Sequence, residues 1–245
     1  MTLTFDAHPR SNLIVALDFD SLSTAVKFAK NIAPLVGMFK IGSQLFTAAG
    51  PAAVKEIAAL DVGIFLDLKF HDIPNTVAGA VAAAADLPHV RLLTLHTSGG
   101  VAMMRAAREA LAGKKRRPAL LGVTILTSLD AVAMRRIGLA GTPRARAVAL
   151  SLLAEEAGLD GIVASAHEIP AIRRACGPKF LTLIPAVRPA SAATNDQSRI
   201  ATPAEAARTG ANFLVVGRPI TAAANPRAAA QAIADEIAKT ARPDR

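Results

Sequence analysis

Residues 63–76 read GIFLDLKFHDIPNT. Three apolar residues after a glycine lead into a run that places two acids, a lysine and a histidine within six positions, from Asp67 to Asp72. The front half has the composition of an interior strand, where an unpaired charge is costly to desolvate. Side chains alternate along a strand, so Asp67 and Lys69 are expected on one face and Leu68 and Phe70 on the other. Asp72 falls just past the strand end, and Pro74 stops the strand and can open a helix at Asn75. The competing reading is a surface ion pair on a polar strand edge. The apolar flanks argue against it, because charges kept in such surroundings tend to serve chemistry.

Outward from this stretch, short β-branched runs alternate with longer amphipathic segments. The expected strands are 13–19, 38–41, 63–70, 91–96, 120–126, 161–164, 180–184 and 213–216. Helical stretches are expected at 23–35, 44–60, 76–86, 101–111, 143–157, 204–209 and 226–239. This is the pattern of βα units on a parallel sheet. Eight strands in a chain of 245 residues fit a single (β/α)8 TIM barrel. A doubly wound sheet would carry a glycine-rich phosphate fingerprint after its first strand. Here that strand ends in ALDFDS, without glycine. No linker divides the chain, so residues 1–245 are expected to form one barrel domain, with short flexible tails at about 1–11 and 240–245.

Composition narrows the function classes. A single cysteine, Cys176, excludes a disulfide framework and suits a reducing compartment. The opening residues MTLTFDAHPR lack the apolar core of a signal peptide, and no apolar run reaches membrane-span length. The expectation is a soluble cytoplasmic protein with no membrane partner. The net charge of +9 raises nucleic acid or phosphorylated ligands as partners. The densest basic run, KKRR at 114–117, lies between Gly113 and Pro118 and reads as a solvated loop. With no Trp or Tyr in the chain to stack on bases, nucleic acid is not the expected partner. Replacing residues 114–117 with serine would abolish the function of a nucleotide- or RNA-binding barrel but not that of an enzyme.

In a (β/α)8 barrel, catalytic groups lie at C-terminal strand ends. Polar residues gather at those positions: Asp18 and Asp20, Lys40, Asp67, Lys69 and Asp72, His96 with Thr97 and Ser98, Thr127 and Ser128, Arg188, and Gly217 with Arg218. Each has a plain alternative. Asp20 could cap the following helix, Lys40 could snorkel, and His96 could be a hydrogen-bonded core histidine. Several strands delivering charge to one rim nevertheless predict a pocket of alternating Asp and Lys. The late strands suggest a phosphate site at Gly217 and Arg218, with Arg188 and Gln197 on a long loop, 186–202, that could close over it. The five histidines show no ligand spacing, and rim acids alternate with lysines, so no metal site is expected.

These residues resemble the orotidine 5′-phosphate decarboxylase family. The likeness runs through ALDFDS, FKIG, DLKFHDIPNTV, VTILTS, VASAHE, IPAVRP, NDQSRI and VVGRPI in order. Its specific part is D-x-K-x-x-D-I-P, spanning Asp67 to Pro74; the other segments are weak singly. The resemblance implies a TIM barrel, a homodimer, and cofactor-independent conversion of orotidine 5′-phosphate to UMP in pyrimidine biosynthesis. By matching position, Lys69 would donate the proton and Asp67 would lie beside the scissile carboxylate. Asp18 and Lys40 would hold the ribose, with Lys40 also joining the charge network. Thr127 would contact the pyrimidine, while Arg188, Gln197, Gly217 and Arg218 would bind phosphate. Asp72 and Thr76 would reach into the neighbouring subunit's site. The family usually has glycine at the position of Ala186, a departure that bears on the loop hinge. Related barrels acting on sugar phosphates, such as hexulose phosphate synthase, share the D-x-K-x-x-D strand but use Mg²⁺, and would need a further acidic ligand near Lys40 or His96.

Overall fold

The computed structural model describes residues 12–189 and 201–240. Eight parallel strands close into a barrel in sequence order. They are β1 (Leu13–Ala16), β2 (Met38–Gly42), β3 (Gly63–Phe70), β4 (Val90–His96), β5 (Ala119–Val123), β6 (Gly161–Val163), β7 (Leu181–Ile184) and β8 (Phe213–Val216). The ring is completed by the pairing of β1 with β8, where Ile14 lies opposite Val215. The expected (β/α)8 barrel is therefore the observed architecture.

The period-2 alternation sorts each strand between two cores. Ile14, Met38, Phe65, Leu92, Leu121, Val163, Leu183 and Phe213 fill the barrel interior. Their neighbours Leu13, Val15, Phe39, Ile64, Leu66 and Leu93 face outward and pack under the helices. Following the inward face towards the C-terminal ends leads from Ile14 and Ala16 to Asp18, from Met38 to Lys40, and from Phe65 to Asp67. The apolar interior thus gives way to charge at one end of the barrel.

The outer layer comprises α1 (Leu22–Ile32), α2 (Ser43–Ala49), α3 (Pro51–Ala58), α4 (Pro74–Ala85), α5 (Gly100–Glu109), α6 (Ala131–Arg136), α7 (Pro143–Glu156), α8 (Ile169–Cys176), α9 (Pro203–Arg208), α10 (Arg218–Thr221) and α11 (Pro226–Thr240). Several expectations need correction. The stretch expected as one helix over 44–60 is two, because Gly50 takes a φ of 56° and Pro51 cannot continue an i to i−4 ladder. The first and fifth strands stop at Ala16 and Val123, short of the expected ends at 19 and 126; each makes one more backbone bond to its neighbour, Leu17 N–H to Lys40 O at 2.9 Å and Thr124 N–H to Val163 O at 3.2 Å. Two short helices, α6 and α10, are not among the expected stretches; at six and four residues each offers less than two turns of apolar periodicity. The helix expected to end at 239 runs to Thr240, and the remaining tail expectations, 1–11 and 241–245, lie outside the described residues.

The basic run is also not simply a solvated loop. Arg117 forks onto Asp160, with Nη1 2.6 Å from Oδ2 and Nη2 2.8 Å from Oδ1. Asp160 also accepts the Leu120 N–H at 2.9 Å, and Lys114 pairs with Asp86. Lys115 and Arg116 are exposed. Half of KKRR is thus engaged in structural ion pairs that tie its loop to neighbouring elements.

Candidate active site

A cavity of about 340 Å³ opens at the C-terminal end of the barrel. Of the residues expected to form a site, Asp18, Lys40, Asp67, Lys69, Thr127, Arg188, Gly217 and Arg218 line it. Its floor is apolar, with Phe65, Val123, Val163, Leu183 and Val215 rising from the barrel interior.

Four charged groups at or just past the ends of three adjacent strands form a chain along one wall. Lys40 Nζ donates to Asp18 Oδ1 at 2.9 Å and lies 3.9 Å from Asp67 Oδ2. Lys69 Nζ donates to the same Asp67 oxygen at 2.7 Å. The chain is most enclosed at its middle: the side chains of Asp18, Lys40, Asp67 and Lys69 are 51%, 13%, 10% and 33% exposed. Paired, alternating charge is what permits this density of ions in a half-enclosed cavity. Gly42, facing inward beyond Lys40, leaves room for the chain. A Cβ there would stand 2.7 Å from Lys40 Nζ and 3.4 Å from Asp18 Oδ1.

Asp67 and Lys69 meet, but regular alternation is not the reason. Leu66 pairs with Leu93 and Phe70 with Leu95, so four steps along β3 pass two along β4. Within this irregularity Lys69 takes a φ of 51°, uncommon for a residue with a Cβ. Thr94 on β4, fully buried, holds the turn: its Oγ1 donates to Asp67 Oδ1 at 2.8 Å and accepts the Lys69 N–H at 3.0 Å. The sequence reading missed Thr94. Its one signal was a hydroxyl in the otherwise apolar run LLTL, in phase with His96.

The remaining expected residues divide. Thr127 and Arg188 are buried at 9% and 6% exposure on the opposite wall from the charge chain. Arg188 N–H donates to Ala201 O at 2.9 Å, fixing one end of its loop. Ala186, also lining the cavity, has a φ of 59°. Gln197 lies outside the described residues. Asp72 and Thr76 are exposed and do not line the cavity; Asp72 Oδ1 accepts the Ile73 N–H at 2.6 Å. Asp20 accepts Gln44 Nε2 at 2.6 Å, and the cap of α1 is Ser21, so the capping alternative for Asp20 does not hold. The His71 and His96 rings pack with centroids 5.5 Å apart. Burial, with His71 and Lys69 nearby, pushes His96 below its ordinary value against the opposing pull of Asp67. Among the described residues no three His, Cys, Asp or Glu side chains cluster as metal ligands. No described helix is long and apolar enough to cross a membrane.

This constellation can hold an anion, offer an ammonium to a reacting centre and seat an apolar ring over its floor. Comparison with known proteins gives it a lineage. The orotidine 5′-phosphate decarboxylase from Nitrosococcus oceani is 52% identical over 228 residues, covering 93% of this chain and 98% of that protein. The one from Moorella thermoacetica is 50% identical over 236 residues, covering 94% and 93%. The crystal structure of orotidine 5′-phosphate decarboxylase from Lactobacillus acidophilus superposes with a TM-score of 0.80 at 35% identity, covering 92% of this chain and 98% of that one. The family model described as orotidine 5′-phosphate decarboxylase / HUMPS family matches residues 11–233, and the chain belongs to that family.

Proposed function

We propose that this chain is a cytoplasmic enzyme, folded as a single barrel domain, that decarboxylates orotidine 5′-phosphate to UMP for pyrimidine biosynthesis. The observation that carries the reading is the Asp18–Lys40–Asp67–Lys69 chain at the barrel mouth. Loss of CO₂ from C6 of the pyrimidine leaves an electron pair on a vinyl carbon, with no adjacent carbonyl placed to accept it. A fixed cation is the main stabilisation a protein can offer there. Lys69 Nζ supplies it, then transfers its proton to C6. Asp67 orients Lys69 and faces the departing carboxylate, while Asp18 and Lys40 hold the ribose hydroxyls. Thr127 contacts the pyrimidine, and Gly217, Arg218, Arg188 and Gln197 bind the phosphate, so binding energy remote from C6 serves the reacting carbon.

No cofactor is assigned. Both carboxylates of the charge chain are engaged by lysine ammonium groups, which disfavours them as Mg²⁺ ligands. Turnover that persists in EDTA separates this reading from the metal-dependent sugar-phosphate enzymes.

The enzyme works as a homodimer, with Asp72 and Thr76 completing the neighbouring site. Their exposure away from their own cavity supports this, as do the exposed Ile73 (67%), Val132 (55%) and Ile137 (61%) on connections leaving β3 and β5.

The test follows the absorbance of orotidine 5′-phosphate with purified protein. The wild type turns over, and Lys69→Ala loses about 10²–10⁴-fold or more. No turnover by the wild type, or undiminished turnover by the variant, sinks the assignment. Lys69→Ala mixed with an equal amount of Asp72→Ala should regain about a quarter of the wild-type activity, because half of randomly exchanged two-fold dimers carry one intact site. No recovery after verified exchange overturns the shared site.

A further inference from the structure

Thr94 lies on the inner face of β4, between Leu92 in the barrel interior and His96 at the mouth, and is fully buried. Its hydroxyl is used in both directions. It donates to Asp67 Oδ1 at 2.8 Å and accepts the Lys69 N–H at 3.0 Å. The other Asp67 oxygen receives Lys69 Nζ at 2.7 Å. Donors on both oxygens fix the rotation of the carboxylate, and hence the direction from which it holds the ammonium.

The second bond addresses the backbone. Pairing between β3 and β4 slips between Leu66 and Phe70, and Lys69 sits in the slip with a φ of 51°. An amide left without a partner at this part-buried position would be costly. The Thr94 hydroxyl receives it, and so supports the left-handed turn from which the Lys69 side chain reaches back to Asp67, two residues earlier on the same strand. One buried oxygen therefore sets both the acid and the base of the pair.

We propose that Thr94 is a positioning residue for the decarboxylation, acting through Asp67 and Lys69 without contacting substrate. The proposal rests on the decarboxylase reading above. Thr94→Val keeps the branched shape and deletes the hydroxyl; Thr94→Ser keeps the hydroxyl and deletes the methyl. Preorganisation predicts that Thr94→Val lowers kcat by about ten- to a hundredfold, with KM changed by less than about threefold. Thr94→Ser should restore kcat to within about threefold of wild type, although the lost methyl lowers its melting temperature. Circular dichroism and thermal melts verify that the compared proteins are folded.

An unimpaired kcat in Thr94→Val overturns the proposal, as does a loss carried by KM. A serine variant as slow as the valine variant also overturns it, because packing would then explain the effect. Should Thr94→Val fail to fold, Thr94→Ala against Thr94→Ser makes the same comparison. A wild type that does not turn over orotidine 5′-phosphate removes the functional reading and the Thr94 role together. An active wild type with an unimpaired Thr94→Val removes only the latter.

Discussion

Ala186 provides a direct test of backbone strain at the mouth of the site. It has a φ of 59°, between the end of β7 and a segment pinned by Val187 N–H to Val215 O at 3.2 Å and Arg188 N–H to Ala201 O at 2.9 Å. The left-handed region costs a residue with a Cβ about 1–2 kcal/mol, which Ala186→Gly removes. Against this, glycine adds freedom to the unfolded chain worth about 0.4–1 kcal/mol. The half-buried methyl contributes about 0.4 kcal/mol, half the value of a fully buried carbon. The balance lies between about −0.4 and +1.2 kcal/mol of stabilisation, or roughly −2 to +5 °C in Tm for a protein of this size. A β-branched side chain is more strained still, and Ala186→Val should lose about 1–3 kcal/mol. Equilibrium urea unfolding of the three proteins, with m unchanged, reads the differences. A glycine variant destabilised by more than about 2 kcal/mol, or a valine variant as stable as wild type, would refute the strain account.

Gly42→Ala should fold with nearly wild-type stability, because the first atom its Cβ meets is the flexible end of Lys40 at 2.7 Å. It should nevertheless displace that ammonium from Asp18 and cut kcat/KM by about tenfold or more, measured by steady-state kinetics. His96 is held below its ordinary value of 6.5, chiefly by burial, so folding disfavours its proton. Its contribution to stability is complete above pH 6.5, declines as pH falls through the interval down to the depressed folded value, and is level below it. His96→Asn should flatten that slope in urea titrations at stepped pH; an unchanged slope counts against the assignment. Burial, with Glu155 nearby, pushes the Cys176 thiol up to about 11. It should therefore resist a disulfide titrant at pH 8 until denaturant is added, and rapid stoichiometric labelling of native protein would contradict this.

Much of the barrel was legible because its signal is local. Runs such as LIVA and FLVV bury both faces, so they read as parallel strands without tertiary information. The period-2 rule also carried Asp18, Lys40 and Asp67 to one rim, since each continues the inward face of its strand. Local rules failed where apolar periodicity was short, as in α6 and α10, and where Gly50 and Pro51 interrupted a stretch that composition alone would leave helical.

The sequence by itself determined the architecture, the family signature and the types of charge at the mouth, because each depends on residue order and a fixed repeat. Only the tertiary structure decided how those charges are held. Thr94 reaches Asp67 across 27 residues, and Arg117 reaches Asp160 across 43, pairings that no single segment encodes. Lys69 arrives at Asp67 through a left-handed turn in a slipped strand pair, whereas alternation predicted the same meeting for a different reason. Hydrogen-bond partners are chosen by which buried donors and acceptors closure brings within 3 Å, and closure of the barrel is a property of all eight strands together.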